Sequence, residues 1–197
     1  ITHARAGNAT MTDSDGLVKW APHNLMTYSE DFSNSSWYKT SCVVTANVVV
    51  APDGSTTADE VIPNTTAISV RKIGATSSLA HTASVWVKDA GRGACFVSMG
   101  SNTKGYLINV DLTDGSYISG RSYGGGVLRG YSITSGGNGW YRVSVSASNF
   151  NNLGHVGLVI GSGDGVSSAS GVYVWGGHVY RSDLGGMVNN PTTGNSY

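Results

Sequence analysis

Apolar and polar residues alternate in short runs along most of this chain, with a period of two. In "WYRVSVSAS" (140–148), Tyr141, Val143, Val145 and Ala147 fall on one side and Arg142, Ser144 and Ser146 on the other, the signature of a half-buried strand. "TASVWVKD" (82–89) sets Val85 and Val87 against Ser84, Trp86 and Lys88, and "YLINVDL" (106–112) aligns Tyr106, Ile108, Val110 and Leu112. "HVGLVIG" (155–161) and "GVYVWGGHVY" (171–180) are apolar on both faces and read as central strands. Turn signals separate the runs: "PDG" at 52–54, "DAGRG" at 89–93, "TDG" at 113–115, "GGNG" at 136–139 and "SGDG" at 162–165. Almost nothing has helical period. Many short strands with glycine-rich turns predict an all-β chain, and burying both sheet faces predicts two packed layers: an antiparallel β-sandwich of jelly-roll type. Residues 1–22 alternate weakly and carry "DSDG" and "APH", so they are expected to be a connector or stem before a sandwich domain at 23–197.

Composition narrows the partners. Charged residues are 12% of the chain, about half the usual share. Twelve basic and twelve acidic residues cancel, and no basic stripe is present to drive counterion release, so nucleic acid is not an expected partner. No apolar run reaches the roughly 20 residues of a membrane span, so no membrane insertion is expected. The first residues show neither an initiator Met nor a signal-peptide pattern, which points to a fragment of a longer protein. Cys42 and Cys95 sit in apolar contexts and read as buried free thiols rather than a bridge. A neutral surface rich in Ser, Thr, Asn, Tyr and Trp suits a glycan.

At "NLMTYSEDFSNSSWYK", "APDGSTTADEV", "WVKDAGRG", "GNGWYRVSVS" and "VYVWGGHVYR", in that order from Asn24 to Arg181, the chain resembles a receptor-binding domain of phage fibre and spike proteins. The upstream "DSDGLVKWAPHNL" also resembles the run preceding such domains in phages and phage-like gene-transfer particles, whose head spikes belong to the same group. The resemblance implies a jelly roll at the outer end of a fibre on a virion or particle surface, binding host cell-surface polysaccharide and often assembled as a homotrimer. The chain is also similar to jelly-roll carbohydrate-binding modules of secreted glycosidases, which often hold a structural calcium. In those modules acids near the first strand and in the last strand bind the ion. Here Trp175, Gly176 and Gly177 stand where the last-strand acids would fall.

The candidate chemistry is that of binding. Glu30 and Asp31 are neighbours, so on a strand they would face opposite sides and could not form a glycosidase pair across a cleft. His3, His23, His81, His155 and His178 are scattered, and no HExxH or GxSxG motif is present. The expectation is a non-catalytic protein that requires no cofactor. Calcium, if held, would use Glu30, Asp31 and Asp59, with Glu60 beside them; the alternative is that these acids are turn and surface residues. Sugars present apolar C–H faces rimmed by hydroxyls and are gripped by aromatic rings and planar hydrogen-bonding groups. Trp37, Trp140 and Trp175 read as packing residues. Trp86 is out of phase with Val85 and Val87, on the polar face with Lys88, where an exposed platform would lie; cover by a loop or a neighbouring subunit is the other reading. Arg142 points away from the Val143/Val145 face. Arg121, Tyr123 and Arg129 in "RSYGGGVLRGY" are expected in a mobile loop, with guanidinium groups suited to hydroxyls or acidic sugars. A carbohydrate-binding module of a secreted glycosidase and a ligand-free structural fibre domain are the alternatives.

Overall fold

The computed structural model describes residues 10–12, 16–20, 24–64, 69–76, 79–101, 103–149, 155–161 and 170–182. His3, His23, Asp164 and the "SGDG" turn lie outside the described residues.

Fourteen strands and no helix are described. β1 (Thr10–Thr12) and β2 (Val18–Trp20) form a small hairpin within the stretch expected to be a stem. The sandwich uses β3 (Tyr38–Thr40), β4 (Cys42–Val49), β5 (Ala58–Pro63), β6 (Ser69–Thr76), β7 (His81–Ala90), β8 (Ala94–Gly100) and β9 (Gly105–Asp111). It continues with β10 (Tyr117–Tyr123), β11 (Val127–Gly137), β12 (Trp140–Ser148), β13 (His155–Gly161) and β14 (Gly171–Arg181). Sheet I has the order β10-β9-β8-β13-β6-β3 and sheet II the order β11-β12-β7-β14-β5-β4. All strand pairs within them are antiparallel.

The jelly roll lies in the inner four strands of each layer. β5-β14-β7-β12 face β6-β13-β8-β9, and successive strands from β5 to β8 alternate between layers. The expected central positions of β13 and β14 hold.

The core follows the alternation. Val85, Val87, Val143, Val145 and Ala147 from sheet II meet Val97, Met99, Ile108 and Val110 from sheet I, all fully buried. The "GGNG" turn joins β11 to β12, with Gly137 at φ 80° at the bulge and Asn138 at φ 52° and Gly139 at φ 77°, the last two being the left-handed pair that matches a tight hairpin to strand twist. Cys42 is half-buried, Cys95 is buried, and no disulfide joins them.

Two segments differ from expectation. Residues 24–37 contain no strand. Asn24 accepts the Val179 amide (3.0 Å) and donates to the Gly177 carbonyl (3.0 Å), and the Leu25 amide donates to the Val179 carbonyl (2.8 Å). Three successive turns follow, Asp31 to Tyr28, Asn34 to Asp31 and Trp37 to Asn34. They drop Met26, Phe32 and Trp37 into the core, with the Phe32 and Trp37 rings 4.4 Å apart. Anchors spaced by turns carry no period of two, which is why this stretch resembled a strand only in composition.

The second difference is 117–137, expected to hold a mobile loop. It is two edge strands, β10 in sheet I and β11 in sheet II, joined by a turn at Gly124 (φ 58°) and Gly125 (φ 83°). Among the described residues no helix is long and apolar enough to cross a membrane.

Candidate functional site

On β12, β7 and β14 the residues out of phase with the core line the outer face of sheet II. Arg142, Trp86 and Trp175 stand in register across these strands, and the next rank is Trp140, Lys88 and Tyr173. Below them Ser144, Ser84 and His178 are in register. Trp86, Lys88 and Arg142 therefore share one face, as their phase requires.

The three tryptophans of this face are treated differently. The loop between β4 and β5 folds over the sheet. The Trp140 indole donates to the Val50 carbonyl (3.1 Å) and the Trp175 indole to the Thr57 hydroxyl (3.0 Å). Trp140 and Trp175 are thereby buried and, with Ala51 and Ala58, form a second small core outside the sandwich. Trp86 packs against that cluster but is only half-buried.

The Trp86 ring spans two bulges. One, at Gly136, interrupts the β11–β12 register, and the other, at Gly176 and Gly177, interrupts the β14–β7 register. A Cβ on Gly136 would collide with Cζ3 and Cη2 at the benzo end of the indole, and one on Gly176 would lie 3.3 Å from Cδ1 at the other end. The indole thus lies across the strands on two backbone segments stripped of side chains. Gly176 also has φ 63°, a conformation open to glycine without strain.

Cations flank this ring. The Lys88 ammonium sits 6.0 Å from the centre of the Trp140 ring, at the limit of a cation–π contact. The Arg142 guanidinium donates to the Ser84 hydroxyl (3.1 Å). Burial lowers the Arg142 pKa and nearby Tyr180 opposes that shift. The face offers one aromatic surface with donors on either side, an arrangement suited to a sugar ring with a hydroxyl or carboxylate at its rim.

The remaining expected binding residues do not join it. Arg121 and Tyr123 lie on β10, paired with Leu107 and Gly105, in the other layer. Tyr123 is laid down over Gly105 and its hydroxyl is shared with Ser98 (2.9 Å) and the Ser101 carbonyl (3.1 Å). Those two bonds make this phenol a clasp between β10 and β8, and its burial raises its pKa. Arg129 occupies a bulge of β11 and donates from Nε to the Ser148 hydroxyl (2.7 Å). A tight turn joins their two strands, and the crossover between layers leaves Arg121 and Tyr123 on sheet I and Arg129 on sheet II.

The acids considered as calcium ligands have other partners. Asp59 is buried, and its two oxygens accept the amides of Phe32 (2.8 Å) and Asn47 (3.0 Å). Burial raises its pKa, and the charge of Asp31 adds to the rise. Asp31 accepts the Ser33 hydroxyl (2.6 Å), the Asn34 amide (3.0 Å) and Asn34 Nδ2 (3.4 Å). Glu30 is half-buried beside it. Among the described residues no group of three or more His, Cys, Asp or Glu is placed to hold a metal ion. Calcium wants six to eight oxygens, and Glu30, Asp31 and Asp59 are not assembled to supply them. Asp59 fixes Phe32 to β5 and to Asn47 of β4, and Asp31 closes the turn at 31–34.

Trp140 and Trp175 are packing residues as expected, but the sequence reading missed the bulges at Gly136 and Gly176 that support Trp86. The glycine pairs inside "SITSGGNGW" and "VYVWGGHV" were the available signal, since glycine within a strand marks a bulge or a close approach.

No family model matches this chain, and no curated protein matches it. Among solved structures it is similar to the CBM22-1–GH10 modules of endo-1,4-beta-D-xylanase 10B from Clostridium thermocellum, complexed with xylohexaose. That match has 13% identity and a TM-score of 0.49, over 82% of this chain and 29% of the other. It is also similar to the enzymatically active domain of tailspike protein 4 of bacteriophage CBA120, with 13% identity and a TM-score of 0.46, over 80% of this chain and 21% of the other. The chain spans less than a third of either protein.

Proposed function

We propose that this chain is a non-catalytic, receptor-binding domain of a fibre or spike on a phage or phage-like particle, and that it holds cell-surface polysaccharide on the outer face of sheet II. The observation that carries the reading is Trp86, half-buried on the polar side of β7 and laid across two glycine bulges between Lys88 and Arg142. Packing alone would be served by burial like that of Trp140 and Trp175. A ring supported from below that keeps part of its surface in water is what a stacking platform needs, and the flanking cations suit the rim of the sugar. A single shallow site of this kind binds weakly, and copies displayed together on a particle multiply it through effective concentration. A homotrimeric fibre would supply such copies.

The absence of catalysis belongs to the same proposal. Asp31 and Asp59, the acids best placed to be chemical groups, are engaged in fixing backbone.

The test is adsorption of the purified chain to capsulated and isogenic acapsular cells. The reading expects retention by capsulated cells and its loss in Trp86→Ala. Equal adsorption to both cell types overturns it. Solution mass separates a fibre domain, expected as a trimer, from a monomeric module of a secreted glycosidase.

A further inference from the structure

We infer a second glycan-contacting surface, for carboxylate-bearing polysaccharide, on the flank formed by β10 and β11; its ligand class rests on the glycan-binding reading above. Tyr117, on the free edge of sheet I, and Tyr131, on the free edge of sheet II, stack with centroids 4.8 Å apart and planes at 20°. They join the two layers, yet remain 41% and 46% exposed. Beside them Tyr106 packs against the core and borders Gly120, which Tyr117 also overhangs. The Tyr117–Tyr131 pair thus forms an outer aromatic layer with ring area left in water, as a stacking surface requires.

Charge selects the occupant. From Tyr117 to Gly137 the chain carries Arg121 and Arg129, both exposed, and no acid. The acids just before β10 are occupied locally: Asp111 accepts from Thr113 and Asp114 from Ser116. Ile118 and Arg129 each sit at a bulge, which re-aims a side chain and disturbs edge pairing. Two copies meeting isologously through this flank would bring like charges together. An extended polyanion meets aromatic faces and guanidinium groups along strands about 23 Å long or more. With Trp86 on the outer face of sheet II, one domain would touch a polysaccharide at two places and gain from their linkage.

The test is a titration of the 15N-labelled chain with a short oligogalacturonate, and with a maltooligosaccharide of matched length as neutral control, followed by amide shifts. The inference expects saturable shifts at 117–121 and 129–132 with the acidic sugar, separate from any near Trp86. Tyr131→Ala should weaken the flank site about tenfold, the loss of one aromatic anchor, and Trp86→Ala should leave it unchanged. Tyr131→Leu keeps apolar cover without the aromatic face, and should lose the site too if folding of the alanine variant suffers. Shifts confined to the Trp86 neighbourhood overturn the inference and leave the platform reading standing. Shifts on the flank alone uphold the inference and sink the platform. No shifts with either sugar overturn both. Concentration-dependent broadening on the flank that the acidic sugar does not alter would identify a second copy as the occupant and overturn the inference.

Discussion

The benzo edge of Trp86 lies against the backbone of Gly136, two strands away in the same sheet. This contact holds the indole flat, and it exists because position 136 has no side chain. Gly136→Ala should force the ring to tilt. The ring is half-buried and able to yield, so the overpacking cost should stay near about 1 kcal/mol. Glycan affinity should fall about tenfold, approaching the loss in Trp86→Ala. Calorimetric titration beside a thermal melt checks this. A variant that unfolds early, or that binds as well as the parent, contradicts the role given to the bulge.

Asp59 links three parts of the chain that are distant in sequence. Asp59→Ala leaves the buried amide of Phe32 without its acceptor and turns the amide of Asn47, an exposed residue, over to water. At about 1–3 kcal/mol for a buried orphaned donor, the expected loss is roughly 1–3 kcal/mol by urea denaturation. Asp59→Asn keeps one acceptor and should fall between. A chelator should leave the parent's stability unchanged, and a chelator-induced loss would mean that these acids hold an ion.

Asp31 makes stability depend on acid. Its hydrogen bond from Ser33, opposed by burial and reinforced by Asn34, lowers its pKa from the ordinary 3.8. A carboxylate depressed in the folded state contributes stability above its unfolded pKa and loses it as pH falls through the folded value. Asp31→Asn should therefore be less stable than the parent at pH 6, with the gap closing below about pH 4. The residue is partly exposed, and solvent screening keeps the effect modest. A constant gap across the acid range would show that the charge is not what matters.

The two thiols should differ in reactivity. Burial raises the pKa of half-buried Cys42, with a backbone hydrogen bond at Thr40 and the charge of Lys39 opposing, so at neutral pH it should react more slowly than a free thiol. Cys95 is buried on β8 and should react only on unfolding. Ellman's reagent should count one slow thiol in the native protein and two fast ones in guanidinium.

Much of the fold was legible because a strand that buries one face writes that burial into the chain. β7, β9 and β12 show it, and Val85, Val143 and Ile108 point inward as their phase implies. β10 and β11 did not show it. Edge strands are covered on one side only, and most of their residues are exposed, so alternation fades and the glycines between them dominate. Residues 24–37 misled in the opposite sense, since Met26, Phe32 and Trp37 are core anchors spaced by turns.

For the candidate site, the outward phase of Trp86 could be read from Val85 and Val87 alone. Its neighbours could not. Trp175 reaches it from 89 positions further along the chain, by strand pairing, and Arg121 and Arg129, eight apart, end in opposite sheets.

The sequence by itself determined which side of the strand the residues of β7, β9 and β12 face, because side chains alternate along an extended backbone wherever no bulge interrupts it. Only the tertiary structure decided which strands lie together. That depends on long-range pairing, and it set which outward residues form one surface, placing Trp86 beside Arg142 and parting it from Tyr123.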